Sequence, residues 1–190
     1  MIHTMPHICQ GATENRPVIV VAGAAGSGKT TLGTELAKLL QAPLLDLDTM
    51  TNSLLDRIDP FLDGPHWNSD GPHSVEIRTG RYEVLMSVAL DAVRIGQRPV
   101  LVAPFTRELA GGAEWDRLVT GLRPASVQVV HVDGSPELFA NRRAARGATR
   151  DLYRPVDGPA LPPRVPHIRV DAEWATEKQT SHVLQEIGIS

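Results

Sequence analysis

The sequence predicts an α/β fold, a three-layer α/β/α domain around a five-stranded parallel sheet, and two observations carry the prediction. Short β-branched apolar runs alternate with segments of helical periodicity along most of the chain. Alternation of this kind implies right-handed crossovers between parallel strands, with helices on both faces of the sheet. The 190 residues, 42% of them hydrophobic, supply one continuous core and one domain.

Residues 17–22 (P-V-I-V-V-A) have the apolar, β-branched character of a strand covered on both faces. A glycine-rich turn, 23–28, leads into a helix over 29–40 with Leu32, Leu36, Leu39 and Leu40 at helical spacing. Residues 43–46 read as a second strand, ending in Asp46-Leu47-Asp48, and 49–58 as a brief helix. Pro60, Gly64, Pro65, Gly71 and Pro72 break the pattern over 59–73, which reads as a loop or lid. A long helix over 74–96 carries Tyr82, Leu85, Met86, Ala89, Leu90 and Val93 on one face. Strands over 98–103, 126–132 and 167–170 alternate with helices over 114–122, 136–146 and 175–187, with Ser135 as an N-cap. Residues 1–16 lack periodicity and read as a flexible tail, leaving 17–190 as the domain. The Arg- and Pro-rich stretch 147–166 reads as mobile.

Composition narrows the function classes. A net charge of −3 gives no basic footprint for a polyanion, which argues against a nucleic-acid partner. The single cysteine, Cys9, cannot form an internal disulfide and fits a reducing compartment. No apolar run reaches the length of a membrane span, and 1–16 have no signal-peptide core. The expected location is cytoplasmic, with no membrane partner, and a homodimer stays open.

Gly23-Ala24-Ala25-Gly26-Ser27-Gly28-Lys29-Thr30 matches G-x-x-x-x-G-K-[ST] in full, between a buried strand and a periodic helix. Small residues let successive backbone N–H groups turn around phosphates, and the following helix aims its positive dipole end at them. The pattern predicts a phosphate cradle for ATP, with Gly23, Ala25, Gly26, Ser27, Gly28, Lys29, Thr30 and Thr31 as nucleotide-binding residues. Lys29 is expected to act on the β- and γ-phosphates, and Thr30 to ligate Mg²⁺.

Acids decide what such a cradle does. The third strand ends in Val102-Ala103-Pro104, without one. Asp133 ends the fourth strand, either as a displaced metal-site acid or, the preferred reading, as the start of a turn. Asp46 and Asp48 end the second strand, and strand carboxyl ends face the ligand crevice in open α/β sheets. Strand alternation would place both on one side, converging on the metal and the transferred phosphoryl group, with Asp48 able to supply the carboxylate that orients an acceptor hydroxyl.

With these residues in place, Gly23-x4-Gly28-Lys29-Thr30-Thr31-Leu32-Gly33, Leu36-Ala37, Leu40 and Asp46-Leu47-Asp48 resemble the N-terminal third of shikimate and gluconate kinases. More loosely they are similar to chloramphenicol phosphotransferase and zeta-toxin-like kinases. The resemblance implies a P-loop NTPase of the nucleoside-monophosphate-kinase type. It also implies that Asp48 contacts the acceptor hydroxyl and Asp46 sits near Mg²⁺. Val132-Asp133-Gly134-Ser135-Pro136-Glu137 followed by Arg142, Arg143, Arg146 and Arg150 resembles the helix-to-lid segment of that group. It implies a lid over 142–166 whose arginines close over the phosphates, Arg142 and Arg150 on the nucleotide and Arg146 on the transferred group. Ala103-Pro104-Phe105 stands where shikimate kinases have a glycine-rich substrate segment, and their F-R-x-x-E pattern is only echoed in Ile77-Arg78-Thr79-Gly80-Arg81.

Residues 59–82 form the segment that varies with substrate in this group. Trp67, Arg78, Arg81 and Phe105 are the substrate-binding candidates beside Asp48, with Arg78 first for a carboxylate. His66 and His73 are not spaced as a metal pair, and no zinc is expected. The resulting expectation is an ATP-dependent, Mg²⁺-using kinase acting on a hydroxyl of a small molecule: a sugar, sugar acid or polyol. The alternatives are an antibiotic or nucleotide-type phosphotransferase, a polynucleotide kinase, and a non-catalytic ATP-binding regulatory module.

Overall fold

A computed structural model describes residues 16–62, 64–67, 71–147 and 162–189. The elements run β1 (Val18–Gly23), α1 (Lys29–Leu40), β2 (Leu44–Asp46), α2 (Leu47–Ile58), α3 (Ser74–Arg94), β3 (Val100–Val102), α4 (Ala113–Gly121), β4 (Val127–Asp133), α5 (Pro136–Arg146), β5 (Ile168–Asp171) and α6 (Thr176–Glu186). Short 3-10 turns occupy Asp59–Phe61 and Glu108–Ala110.

All six residues of β1 are buried, so this strand must lie inside the sheet rather than at an edge. The strand order is β2-β3-β1-β4-β5, parallel throughout, with Ile19 opposite Val100 on one side and Val20 opposite Val129 on the other. Alternation along β1 sends Val18, Val20 and Ala22 to one face, where Leu85, Ala89 and Val93 of α3 and Leu118 of α4 cover them. Ile19 and Val21 face the other layer, against Leu32, Leu36 and Leu40 of α1, Phe139 of α5 and Val183 of α6. The three layers anticipated from the alternating pattern are therefore present, and the carboxyl ends of β1, β2 and β3 meet at one rim.

Two boundaries differ from the sequence reading in ways that matter. Helix α2 begins at Leu47 rather than 49, because the Asp46 side chain caps it, accepting from the Thr49 N–H at 2.9 Å. Strand β3 covers only Val100–Val102, after which the chain turns so tightly that Phe105 takes φ +50°. That conformation is uncommon for a bulky side chain. It is held by full burial of the ring and by the Phe105 N–H donating to the Tyr82 hydroxyl at 2.9 Å.

Helix α1 sits unusually close to the sheet at Gly33, where an added Cβ would meet Val102 Cγ2 at 2.4 Å. Glycine inside a helix ordinarily costs about 1 kcal/mol relative to alanine. Here the close approach reverses the sign, since overpacking a well-filled core costs about 1–3 kcal/mol. Gly80 in α3 has open space around it and supplies the control. Urea denaturation is expected to show Gly33→Ala destabilised by about 1–2 kcal/mol and Gly80→Ala unchanged or stabilised by up to about 1 kcal/mol. Equal effects at the two positions would remove the packing explanation for Gly33.

Candidate active site

The rim of the sheet is organised by the turn between β1 and α1. Gly26 has φ +86°, and a Cβ there would lie 2.6 Å from the Phe139 carbonyl oxygen of α5, so only glycine fits. The turn's outward carbonyls are answered by cations. Lys29 Nζ donates to the Ala24 oxygen at 3.2 Å, and Arg143 Nη1 to the Ala25 oxygen at 2.9 Å. Arg142 divides its donors, Nη1 to the Ser27 oxygen at 3.2 Å and Nη2 to the Ala172 oxygen at 2.8 Å. Helix α1 has no acidic residue in its first turn, so its amino end stays electropositive, and Thr30 and Thr31 are exposed there.

Asp46 joins this turn to the acceptor side. Its Oδ1 caps α2, and its Oδ2 accepts from the Thr30 hydroxyl at 3.2 Å. A hydroxyl and a carboxylate side by side are hard oxygen donors of the kind Mg²⁺ takes, so this pair fits that ion. Asp48 lies in the first turn of α2, not on the strand, so strand alternation does not bring it beside Asp46 as the sequence reading supposed. Its partner is Arg81 of α3, whose Nη2 donates to Asp48 Oδ1 at 2.5 Å. Arg81 also reaches Thr51 Oγ1 at 2.8 Å through Nε and Asn52 Oδ1 at 3.0 Å through Nη2.

Several substrate candidates have other occupations. Arg78 Nη2 donates to both oxygens of buried Glu108, at 3.0 and 3.1 Å, and its guanidinium lies 4.2 Å from the Tyr82 ring centroid. Phe105 is not a substrate contact: its side chain is fully buried in the core and meets Tyr82 edge-on. Burial, with Glu108 adding to it, pushes the Tyr82 phenol far above its ordinary range, so it remains a neutral hydrogen-bonding group. Trp67 is half-buried. Arg146 lies at the exposed end of α5, and Arg150 falls outside the described residues.

Asp133 is engaged away from this rim pair. It accepts from Arg169 Nε at 2.8 Å and from the Gly134 N–H at 2.9 Å. Burial raises its carboxyl, but those hydrogen bonds and the Arg169 charge outweigh the burial and hold it below the usual carboxylate range. Asp56, Asp59 and His66 bring ligand-type atoms within 4.8 Å of one another at the start of the 59–73 segment. The His66 N–H and ring Nδ1 both bond Asp59 Oδ1, at 2.9 and 2.8 Å, which accounts for the cluster as a staple closing this loop on α2.

Sequence reasoning named Arg143 only as one of the lid arginines, and it missed Glu108, Thr51 and Asn52. A signal existed for Arg143: it stands four residues after Phe139, on the same buried face of α5. Thr51 and Asn52 stand three and four residues after Asp48, on one helical face. Glu108 had no local signal, because its partner lies 30 residues earlier.

A five-stranded parallel sheet with this turn between its central strand and first helix defines a P-loop domain. Residues 18–160 match the AAA domain family, and the chain belongs to that family. No curated protein matches the sequence. Among solved structures, APS kinase CysC of Mycobacterium tuberculosis, in complex with AMPPNP and APS, superposes with a TM-score of 0.63 at 20% identity, covering 91% of this chain and 98% of that one. A sugar kinase from Janibacter sp. HTCC2649 gives 0.61 at 18% identity, covering 90% and 94%. A gluconokinase from Sinorhizobium meliloti 1021 gives 0.55 at 19% identity, covering 92% and 93%. At these identities the likeness is one of fold.

The bracing of the turn generates a test. Arg143→Met removes a buried donor and leaves the half-buried Ala25 carbonyl without it, a loss of about 1–3 kcal/mol at most. Arg146→Ala, at the exposed end of the same helix, is expected to cost less stability than Arg143→Met. Chemical denaturation and Mg-ATP titration should show Arg143→Met both less stable and about 10-fold weaker in binding, a loss of about 1.4 kcal/mol. Unchanged affinity would mean that the brace does not shape the cradle.

Proposed function

We propose that this protein is an ATP-dependent, Mg²⁺-using phosphotransferase that moves the γ-phosphoryl group to a hydroxyl of a small molecule, a sugar, sugar acid or polyol. The observation that supports it best is the Thr30–Asp46–Asp48 arrangement. Asp46 touches the hydroxyl that follows the P-loop lysine and also caps the helix whose first turn carries Asp48. One short segment therefore ties the metal donors to a carboxylate half exposed to solvent, where an acceptor hydroxyl can reach it.

In this reading the amino end of α1 and Lys29 bind the ATP phosphates. Thr30 and Asp46 hold Mg²⁺, which when bound supplies positive charge against the phosphates. Asp48 orients the acceptor hydroxyl and takes its proton as that oxygen bonds to the γ-phosphorus and the phosphorus–oxygen bond to ADP breaks, ADP leaving. Arg146, and Arg150 beyond the described residues, remain candidates for neutralising the transferred group. The kinases whose fold this chain shares include enzymes named for a sugar, for gluconate and for APS, which favours a small-molecule acceptor. A polynucleotide acceptor fits the net charge of −3 poorly, and a purely regulatory ATP module has no need of a half-exposed carboxylate one helical turn from the metal donors.

Coupled ADP release against sugars, aldonic acids, polyols, nucleosides, aminoglycosides and 5′-hydroxyl oligonucleotides tests the acceptor class. A carbohydrate should give the highest kcat/KM; stimulation by the oligonucleotide or an antibiotic alone would overturn that class. Lys29→Ala is expected to stay folded and lose transfer. Asp48→Asn should bind Mg-ATP nearly as the parent does but turn over at least ~100-fold more slowly. Retention of the parent rate in Asp48→Asn, with loss in Asp133→Asn, would assign the base elsewhere.

A further inference from the structure

We infer that Arg81 is the positioning residue for the Asp48 base and not a receptor for a substrate anion, an inference that rests on the phosphotransferase reading above. Asp48, Thr51 and Asn52 stand at i, i+3 and i+4 of α2, so their side chains share one face. The Arg81 guanidinium reaches across from α3 and takes all three: Asp48 Oδ1 at 2.5 Å, Thr51 Oγ1 at 2.8 Å and Asn52 Oδ1 at 3.0 Å. Thr51 is itself fixed, being buried and donating to the Leu47 carbonyl at 2.6 Å.

Burial decides which partner holds the other. The Arg81 side chain is 19% exposed and the Asp48 side chain 49%, so the cation is the anchored member and the carboxylate reaches outward from it. Two neutral acceptors orient the guanidinium plane independently of Asp48. The planar fork then limits the directions from which a carboxylate oxygen can accept. Arg81 thus engages Oδ1 from a fixed direction while the carboxylate stays half exposed, within reach of an incoming hydroxyl.

The same contacts argue against an anion-binding role. The Nε donor and both Nη2 donors are already matched to protein acceptors, so a bidentate grip on a substrate carboxylate would displace one of them and loosen the restraint on Asp48 during the step that needs it. Arg78 is no easier to recruit, because leaving Glu108 would strand a buried carboxylate. The acceptor side thus presents charges already paired within the protein on α3.

A double-mutant cycle separates these roles, since residues acting as a unit lose activity non-additively. ADP release is measured for the parent, Arg81→Met, Arg81→Lys, Asp48→Asn and the Arg81→Met/Asp48→Asn pair, with glucose and gluconate as the matched neutral and anionic probes. Arg81→Met is expected to lower kcat about 10–100-fold with whichever probe turns over, leaving KM within about 3-fold, and to add less than about 3-fold to Asp48→Asn. Arg81→Lys should recover part of kcat, because it keeps the charge without the fork. Three results would overturn the inference while leaving the phosphotransferase reading intact: additive losses in the pair, a rise in KM confined to gluconate, or a lower melting temperature with kcat unchanged. If no probe in the wider acceptor panel supports transfer, or Asp48→Asn keeps the parental kcat, the phosphotransferase assignment or the base assignment fails first and this inference falls with it.

Discussion

A turn that wraps backbone N–H groups around phosphate must send its carbonyl oxygens the other way, and those oxygens need donors of their own. In this protein the carbonyls of Ala24, Ala25 and Ser27 receive hydrogen bonds from Lys29, Arg143 and Arg142. Two of the three donors come from α5, more than 110 residues along the chain. The cradle is therefore not a property of the glycine-rich segment alone. It depends on α5 lying against Gly26 closely enough for the Phe139 carbonyl to exclude any side chain there, and α5 is placed by Phe139 in the core shared with β1 and α1.

A second dependence runs through Asp46. Its two oxygens serve two neighbours, one the Thr49 amide and the other the Thr30 hydroxyl. The cap starts α2 at Leu47 and so fixes Asp48 in a helical turn, where Thr51 and Asn52 share its face. Arg81 reads that face from α3, and Arg78 and Tyr82 tie the same stretch of α3 to Glu108 and Phe105. Helix α3 thus acts as a crossbar between the acid of α2 and the turn after β3. The positive φ of Phe105 belongs to this crossbar, since the Tyr82 hydroxyl takes its N–H.

Much of this fold was legible in the sequence because local pattern and tertiary role agree. The run 17–22 is apolar at every position and forms the buried central strand; Lys29–Leu40 has the periodicity of a helix covered on one side, and α1 has those bounds. The P-loop positions were equally plain, because their spacing is set by the turn itself. What the sequence hid were contacts made across long separations. Arg142 and Arg143 read as lid residues because a basic helix end looks the same whether it faces solvent or a carbonyl. Arg78 and Arg81 read as substrate-binding residues because Glu108 and Asp48 are 30 and 33 residues away from them. Phe105 read as a substrate contact because Ala103-Pro104-Phe105 stands where the resembling kinases have a substrate segment, whereas here the backbone reverses and the ring lies in the core. Asp48 was misplaced by a boundary of two residues, enough to exchange strand geometry for helix geometry.

The central claim is that the P-loop and Asp48 act together on one phosphoryl group, passing it to a small-molecule hydroxyl. The most direct measurement follows the label from ATP carrying a radioactive γ-phosphate in the presence of the acceptor panel and Mg²⁺. The account expects label to appear in a new phosphate ester of one neutral or acidic carbohydrate, to vanish from that ester in Lys29→Ala, and to accumulate at least ~100-fold more slowly in Asp48→Asn. Label that passes only to inorganic phosphate, at a rate indifferent to Asp48, would contradict it.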